Sequence, residues 1–342
     1  MIAKCMKQTS RRSTLSFSVK KQSFDSLFLI GFFCLFGFLL SVAKIFGESP
    51  DYFSYNEFFN LVRREGLNTL TASRFEAGFS LFSIFLTKLF TSNLVVYSCI
   101  VAAALLLKGW VIRAYSPDIK VFIVIAVLYV ARYFPLHELT QLRAACGVAL
   151  VLISTIFIWK GKFYVGALIC GFALAFHMSA AALIPALFIT ITSRWKVIGF
   201  ACVVFVFSLT SSKLLTGYLA NFILILDAYQ SSGFVARKPN PFAVQLLIDW
   251  AMIIASLFLW RKLTLLMRRV VLLQLIGMGI FYGGIEFAVV VHRVREFYSV
   301  FWVLFLVDGL RVSGTKLISS IFMLTCVVFY FYIFVISGTF FN

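Results

Sequence analysis

His137, Glu138, Gln141 and Arg143 fall within seven residues. His137 and Gln141 are four apart and share a helical face, and Arg143 enters the top of an apolar run. An imidazole and a carboxylate supply acid–base capacity, and a guanidinium fork recognises phosphate or carboxylate. Similar mixtures recur along the chain. Asp51, Tyr52 and Tyr55 follow the first apolar run, Arg74 and Glu76 lead into a short one, and His177 separates two more. His292, Arg293, Arg295, Glu296 and Tyr298 lie together near the end. Gathered around one cavity, these groups would hold an anionic ligand such as a lipid-borne phosphate. Each also has a plainer reading. Arg143 can snorkel, His177 can satisfy a turn carbonyl, and Glu76 can pair with Arg74 or another arginine. Asp249 and Glu286 are sunk below the ends of apolar runs, where acids are expensive and read as functional or paired.

The elements that position these residues are set by composition. Of 342 residues, 62% are hydrophobic and 13% charged, against about 45–50% and about 25% in soluble domains. Mean hydropathy is +0.99. This excludes a soluble globular, disordered or disulfide-stapled protein. The seven cysteines form no CxxC and lie mostly in apolar runs, as small packing residues. An all-α, polytopic membrane bundle is expected. Its apolar runs are Leu27–Phe46, Leu94–Val111, Ile119–Phe134, Leu139–Ile158, Phe163–Phe176, Ser179–Thr192, Val197–Thr210, Val244–Trp260, Val270–Val291, Phe297–Leu310 and Leu317–Ile336. That gives about 11 spans, several short or re-entrant. Phe79–Phe90 is too short and reads as interfacial or re-entrant. Tyr55, Phe58, Phe59 and Val62 make one apolar face of a helix expected at the membrane surface.

The net charge is +18. With residues 1–26 as a basic cytoplasmic tail, the inner segments hold 19 of the 31 Lys and Arg and three acids. The positive-inside rule favours this orientation, so the charge is an orientation signal and not a nucleic-acid site. Residues 27–342 then form one multi-pass domain with external loops at 47–78 and 211–243. All three histidines and most acids fall outside. No Walker A loop, GxSxG, HExxH or aspartate cluster is present, so no metal and no cofactor is expected.

Five stretches, in order, resemble the EpsG family of polysaccharide-synthesis membrane proteins, which are Wzy-type repeat-unit polymerases. They are Asp51-Tyr52-Phe53-Ser54-Tyr55, Glu76-Ala77-Gly78-Phe79, Leu142-Arg143, His177-Met178-Ser179-Ala180, and Arg295 with Tyr298. The resemblance implies a GT-C-like transferase in a bacterial cytoplasmic membrane. It would move a growing glycan from one undecaprenyl-pyrophosphate carrier to the next lipid-linked oligosaccharide, on the outer face. A chain-length regulator and a flippase would be its partners. Among outer carboxylates Glu76 is the first candidate base, ahead of Asp51 and Glu138, with His177 beside them. Arg74, Arg143, Gln141, His137, Arg293, Arg295 and Tyr298 would bind pyrophosphate and glycan. The competing class is a transporter or flippase of the same lipid, which needs the basic cavity but no base. Other membrane transferases, a ligase or acyltransferase, come next, and a scaffold leaves the buried acids unexplained.

Overall fold

A chain this apolar must satisfy its backbone polar groups internally once it leaves water, which a helix does. The computed structural model describes residues 24–43, 51–72, 75–116, 118–189, 191, 193–214 and 240–337. Among the described residues every regular element is helical. The longer helices are α1 (Phe24–Val42), α2 (Tyr52–Glu65), α3 (Ala77–Leu89), α4 (Asn93–Tyr115) and α5 (Ile119–Arg132). They continue as α6 (Leu142–Trp159), α7 (Phe163–Phe176), α8 (Arg194–Leu214), α9 (Val244–Phe258) and α10 (Leu265–Gly283). The last three are α11 (Ala288–Ser299), α12 (Trp302–Gly309) and α13 (Lys316–Phe331), which runs on into a π turn, Tyr332–Ile336.

Among the described residues six helices, α1, α4, α6, α8, α10 and α13, are long and apolar enough to cross a membrane. Among them α4, α6 and α10 are mostly buried, while α1, α8 and α13 expose most of their surface. α1 shows how one run serves both purposes. Phe28, Phe32, Leu35 and Leu39 are exposed along one stripe, where lipid would lie. Ile30 and Phe33 are buried on the other, and Gly37 lets α4 come so close that a Cβ there would meet Leu105. The Cys34 thiol donates to the Ala102 carbonyl across the same contact.

Several expected elements take a different form. The Ser179–Thr192 run is a 3-10 turn, Met178–Ala182, followed by one helical turn, Ile184–Leu187. Pro185 removes a backbone donor and interrupts any longer helix. The segment still runs back along α7: the Trp159 indole donates to the Leu187 carbonyl at 3.2 Å, and the Phe163 and Phe188 rings stack. The stretch between α5 and α6, expected on the outer surface, is buried. Phe134, His137 and Glu138 have no exposure, and the Tyr97 hydroxyl donates to the Leu139 carbonyl. On α2 the buried residues are Tyr55, Phe58, Phe59 and Val62, the face read from the sequence. That face meets the rings of Phe75, Phe79 and Tyr97, protein and not membrane surface. Residues 1–23, including most of the basic tail, and 215–239 of the second external loop lie outside the described residues.

Buried charges pin the bundle. Asp249 on α9 accepts from Arg132 of α5 at 2.8 Å and from Arg295 of α11. Arg295 also reaches Glu296 at 2.7 Å, so two guanidinium groups face two carboxylates. Arg132 lies over the rings of Tyr133, Phe322 and Tyr330. Removing one charge from such a cluster strands its partners in a low-dielectric interior. Asp249→Asn is therefore expected to destabilise the protein by about 3–5 kcal/mol, read as earlier thermal unfolding in detergent. Glu57→Gln on the exposed side of α2 should change stability by less than about 1 kcal/mol.

Candidate active site

The short stretch before α3 carries the best-defined polar cluster. Glu76 is the N-cap residue of α3 with an extended backbone, and its side chain does not cap the helix. It turns outward to two other elements. One carboxylate oxygen accepts from Arg143 Nη1 of α6 at 2.6 Å. The other lies 3.0 Å from His177 Nδ1 and 3.2 Å from the Met178 backbone N–H, at the end of α7. Burial by itself would raise the Glu76 carboxyl, but the His177 hydrogen bond and the Arg143 charge hold it at about 2. A carboxylate that stays ionised only accepts. His177 Nδ1 must therefore donate, and Nε2 makes no hydrogen bond among the described residues.

Glycines explain how three elements meet. A Cβ on Gly78 would lie 2.7 Å from the Ala175 carbonyl oxygen, so only glycine lets α3 press against the end of α7. Gly78 thus serves the close approach of α3 to α7. A Cβ on Gly147 would lie 3.2 Å from the His177 Cβ, so α6 approaches from the other side. Gly78→Ala is expected to push α3 away and lengthen the Glu76–His177 contact. Its mark would be activity lost by about 10-fold or more, since 1 Å of displacement can cost up to 10²-fold, alongside a loss of about 1–3 kcal/mol in stability from overpacking.

The Arg143 guanidinium is fixed on several sides. It lies 4.5 Å from the Phe75 ring centroid, and the Tyr55 ring stacks on Phe75. Its Nε is buried without a partner. His177 meets the Phe297 ring edge-on at 5.8 Å, and His137 meets the same ring at 6.3 Å. Arg293 stands one turn before Phe297 on that face of α11. Among the described residues it makes no hydrogen bond or ion pair, and it is half-buried.

The other residues singled out from the sequence are placed differently. Glu138 is wholly buried on Lys108 and the Tyr129 hydroxyl, so it does not open on the mouth. His137 is wholly buried with both ring nitrogens unpartnered, and the Gln141 Oε1 is likewise unpartnered. Arg295 sits in the Asp249 cluster with its charge neutralised. Tyr298 is buried, and its hydroxyl donates to the Ala182 carbonyl, tying down the segment behind His177. Asp51 stands just before α2, one turn from Tyr55. Arg74 lies outside the described residues. Among the described residues no three His, Cys, Asp or Glu side chains converge as a metal ion would need.

Sequence reasoning missed Lys108 and Arg132, although both carried a signal, as charges within apolar runs. Among the comparisons with known proteins, a family model described as the EpsG family matches residues 29–342, nearly the whole chain. No curated protein and no solved structure matches it.

Proposed function

We propose, because this chain belongs to the EpsG family of Wzy-like polymerases, that it extends a lipid-linked polysaccharide at the outer face of a bacterial cytoplasmic membrane. The observation that carries this reading is the Arg143–Glu76–His177 cluster, in which Glu76 takes Nδ1 of the imidazole and leaves Nε2 without a hydrogen bond among the described residues. The donor is a glycan on undecaprenyl pyrophosphate, and the acceptor is a sugar hydroxyl of the next lipid-linked unit. The anomeric carbon–oxygen bond to pyrophosphate breaks as the bond to the acceptor oxygen forms. The acceptor proton passes to His177 Nε2, and the electron pair leaves with the pyrophosphate.

Glu76 in this scheme orients the imidazole instead of taking the proton. A carboxyl held at about 2 is a weak acceptor at neutral pH, whereas histidine is the side chain that most often serves as a general base. Arg143 fixes Glu76 and adds positive charge to the mouth. Arg293 contacts the pyrophosphate, where a preorganised guanidinium stabilises the departing charge. Arg295, neutralised in the interior, supports α11. The short α7 and α9 and the broken 178–189 return support a bundle of about 11 crossings with a GT-C-like plan, in which α3 is re-entrant.

The flippase alternative predicts a different accumulated species. Cells with an inactive His177 variant should accumulate single lipid-linked repeat units open to a glycosidase added outside. A cysteine at Met178 should be labelled from outside, and one at Lys162 only after permeabilisation. Repeat units trapped on the inner leaflet, or the reverse labelling, would replace this reading with transport or an inverted topology.

A further inference from the structure

The opposite end of the bundle from Glu76 and His177 holds a second polar feature. The 178–188 segment descends from His177 to the Trp159 end of α6, and α8 begins six residues later. There, the start of α8, the end of α9 and the first turn of α10 line a half-open cavity of about 670 Å³. Arg194, Arg261, Lys262 and Arg268 line it with Trp195 and Trp260, and no acidic residue does. Among the described residues none of these four cations has an ion-pair partner. Asp308, on the nearby α12, is taken by the Thr264 hydroxyl at 2.6 Å and by Arg311.

The cations are held in place by weaker contacts. Arg194 lies over the Trp195 ring and donates to the Leu257 carbonyl. Arg268 lies over the Trp260 ring and donates to the Trp260 carbonyl. Unopposed guanidinium groups in a concave site call for an oxyanion. The start of α8 lines the same space, so the positive end of its helix dipole adds to the potential. Two features favour a lipid over a soluble ion. Trp195 and Phe258 are 70% and 81% exposed at the rim. Such rings beside a cationic pocket at a bundle end match the interface, where aromatic residues settle and anionic headgroups lie.

We propose that this cavity binds the phosphate of an anionic phospholipid headgroup, with Arg194, Arg261, Lys262 and Arg268 as its ligands and the acyl chains passing Trp195 and Phe258. The site is separate from the transfer site and does not depend on the reading given for it.

Native mass spectrometry of the purified full chain would test this with phosphatidylglycerol and phosphatidylcholine of identical acyl chains. Phosphatidylglycerol should be retained preferentially. Arg194→Gln with Arg261→Gln should weaken its retention about 30-fold, since each cation near an anionic headgroup contributes about fivefold. Arg261→Gln alone, at an exposed position, gives a milder loss if the double variant does not fold. Arg64→Gln on the exposed side of α2 should leave retention unchanged. Excess inorganic phosphate should not displace the lipid. Displacement by phosphate would make this a soluble-anion site, and equal retention of both lipids or an undiminished Arg261→Gln variant would also overturn the proposal.

Discussion

His177→Asn is expected to lower glycan extension by about 10²–10⁴-fold, the usual contribution of a positioned general base. Asparagine can still present an N–H where Nδ1 stands, 3.0 Å from Glu76, so the ion cluster and fold should survive. It has nothing at the place of Nε2. A variant that extends glycans at the wild-type rate would reduce His177 to a packing residue.

Glu76→Gln should fall almost as far, by about 10²–10³-fold, although glutamine has the same shape. The carboxylate accepts on both oxygens, from Arg143 on one and from His177 and Met178 on the other. An amide has one acceptor oxygen and one donor nitrogen. If its oxygen keeps Arg143, its N–H₂ faces Nδ1 and drives the ring proton to Nε2, which removes the base. The same tautomer error explains the large loss when the orienting aspartate of a serine-protease triad becomes asparagine. Because Arg143 and Glu76 act on one group, Arg143→Lys in the Glu76→Gln background should cost far less than in the wild type. The same carboxylate links to stability. Its acidity is raised in the folded state, so its contribution is complete above the ordinary carboxyl range and disappears as pH falls toward about 2. A Glu76→Gln enzyme with full activity would return the proton to another group and leave Glu76 a surface ion pair.

What could be read from the sequence follows the range of the forces involved. The Tyr55, Phe58, Phe59 and Val62 face is local periodicity, and it is the buried face of α2. The apolar runs are also local, but hydropathy reports composition and not continuity. Pro185 breaks one run, and Gly283-Gly284 and the Val300-Phe301 junction break two others. The motif around Glu76 and the one around His177 were each visible, 101 residues apart. Their contact was not, because it depends on Gly78 and Gly147 admitting two helices to one histidine. Charge pairing was hidden for the same reason. Lys108 counts as an inner orienting charge in the sequence, yet it is buried on Glu138 from the far turn. Arg295 looks like a loop arginine until packing brings Asp249 and Glu296 to it.

The central claim is that this chain forms glycosidic bonds between lipid-linked units. The direct measurement is to incubate the purified protein in proteoliposomes with an undecaprenyl-pyrophosphate-linked repeat unit and resolve the products by length. A ladder at repeat-unit intervals is predicted, with one carrier pyrophosphate released per bond and the ladder lost in His177→Asn. Repeat units that cross the vesicle membrane unjoined, with no ladder, would contradict it.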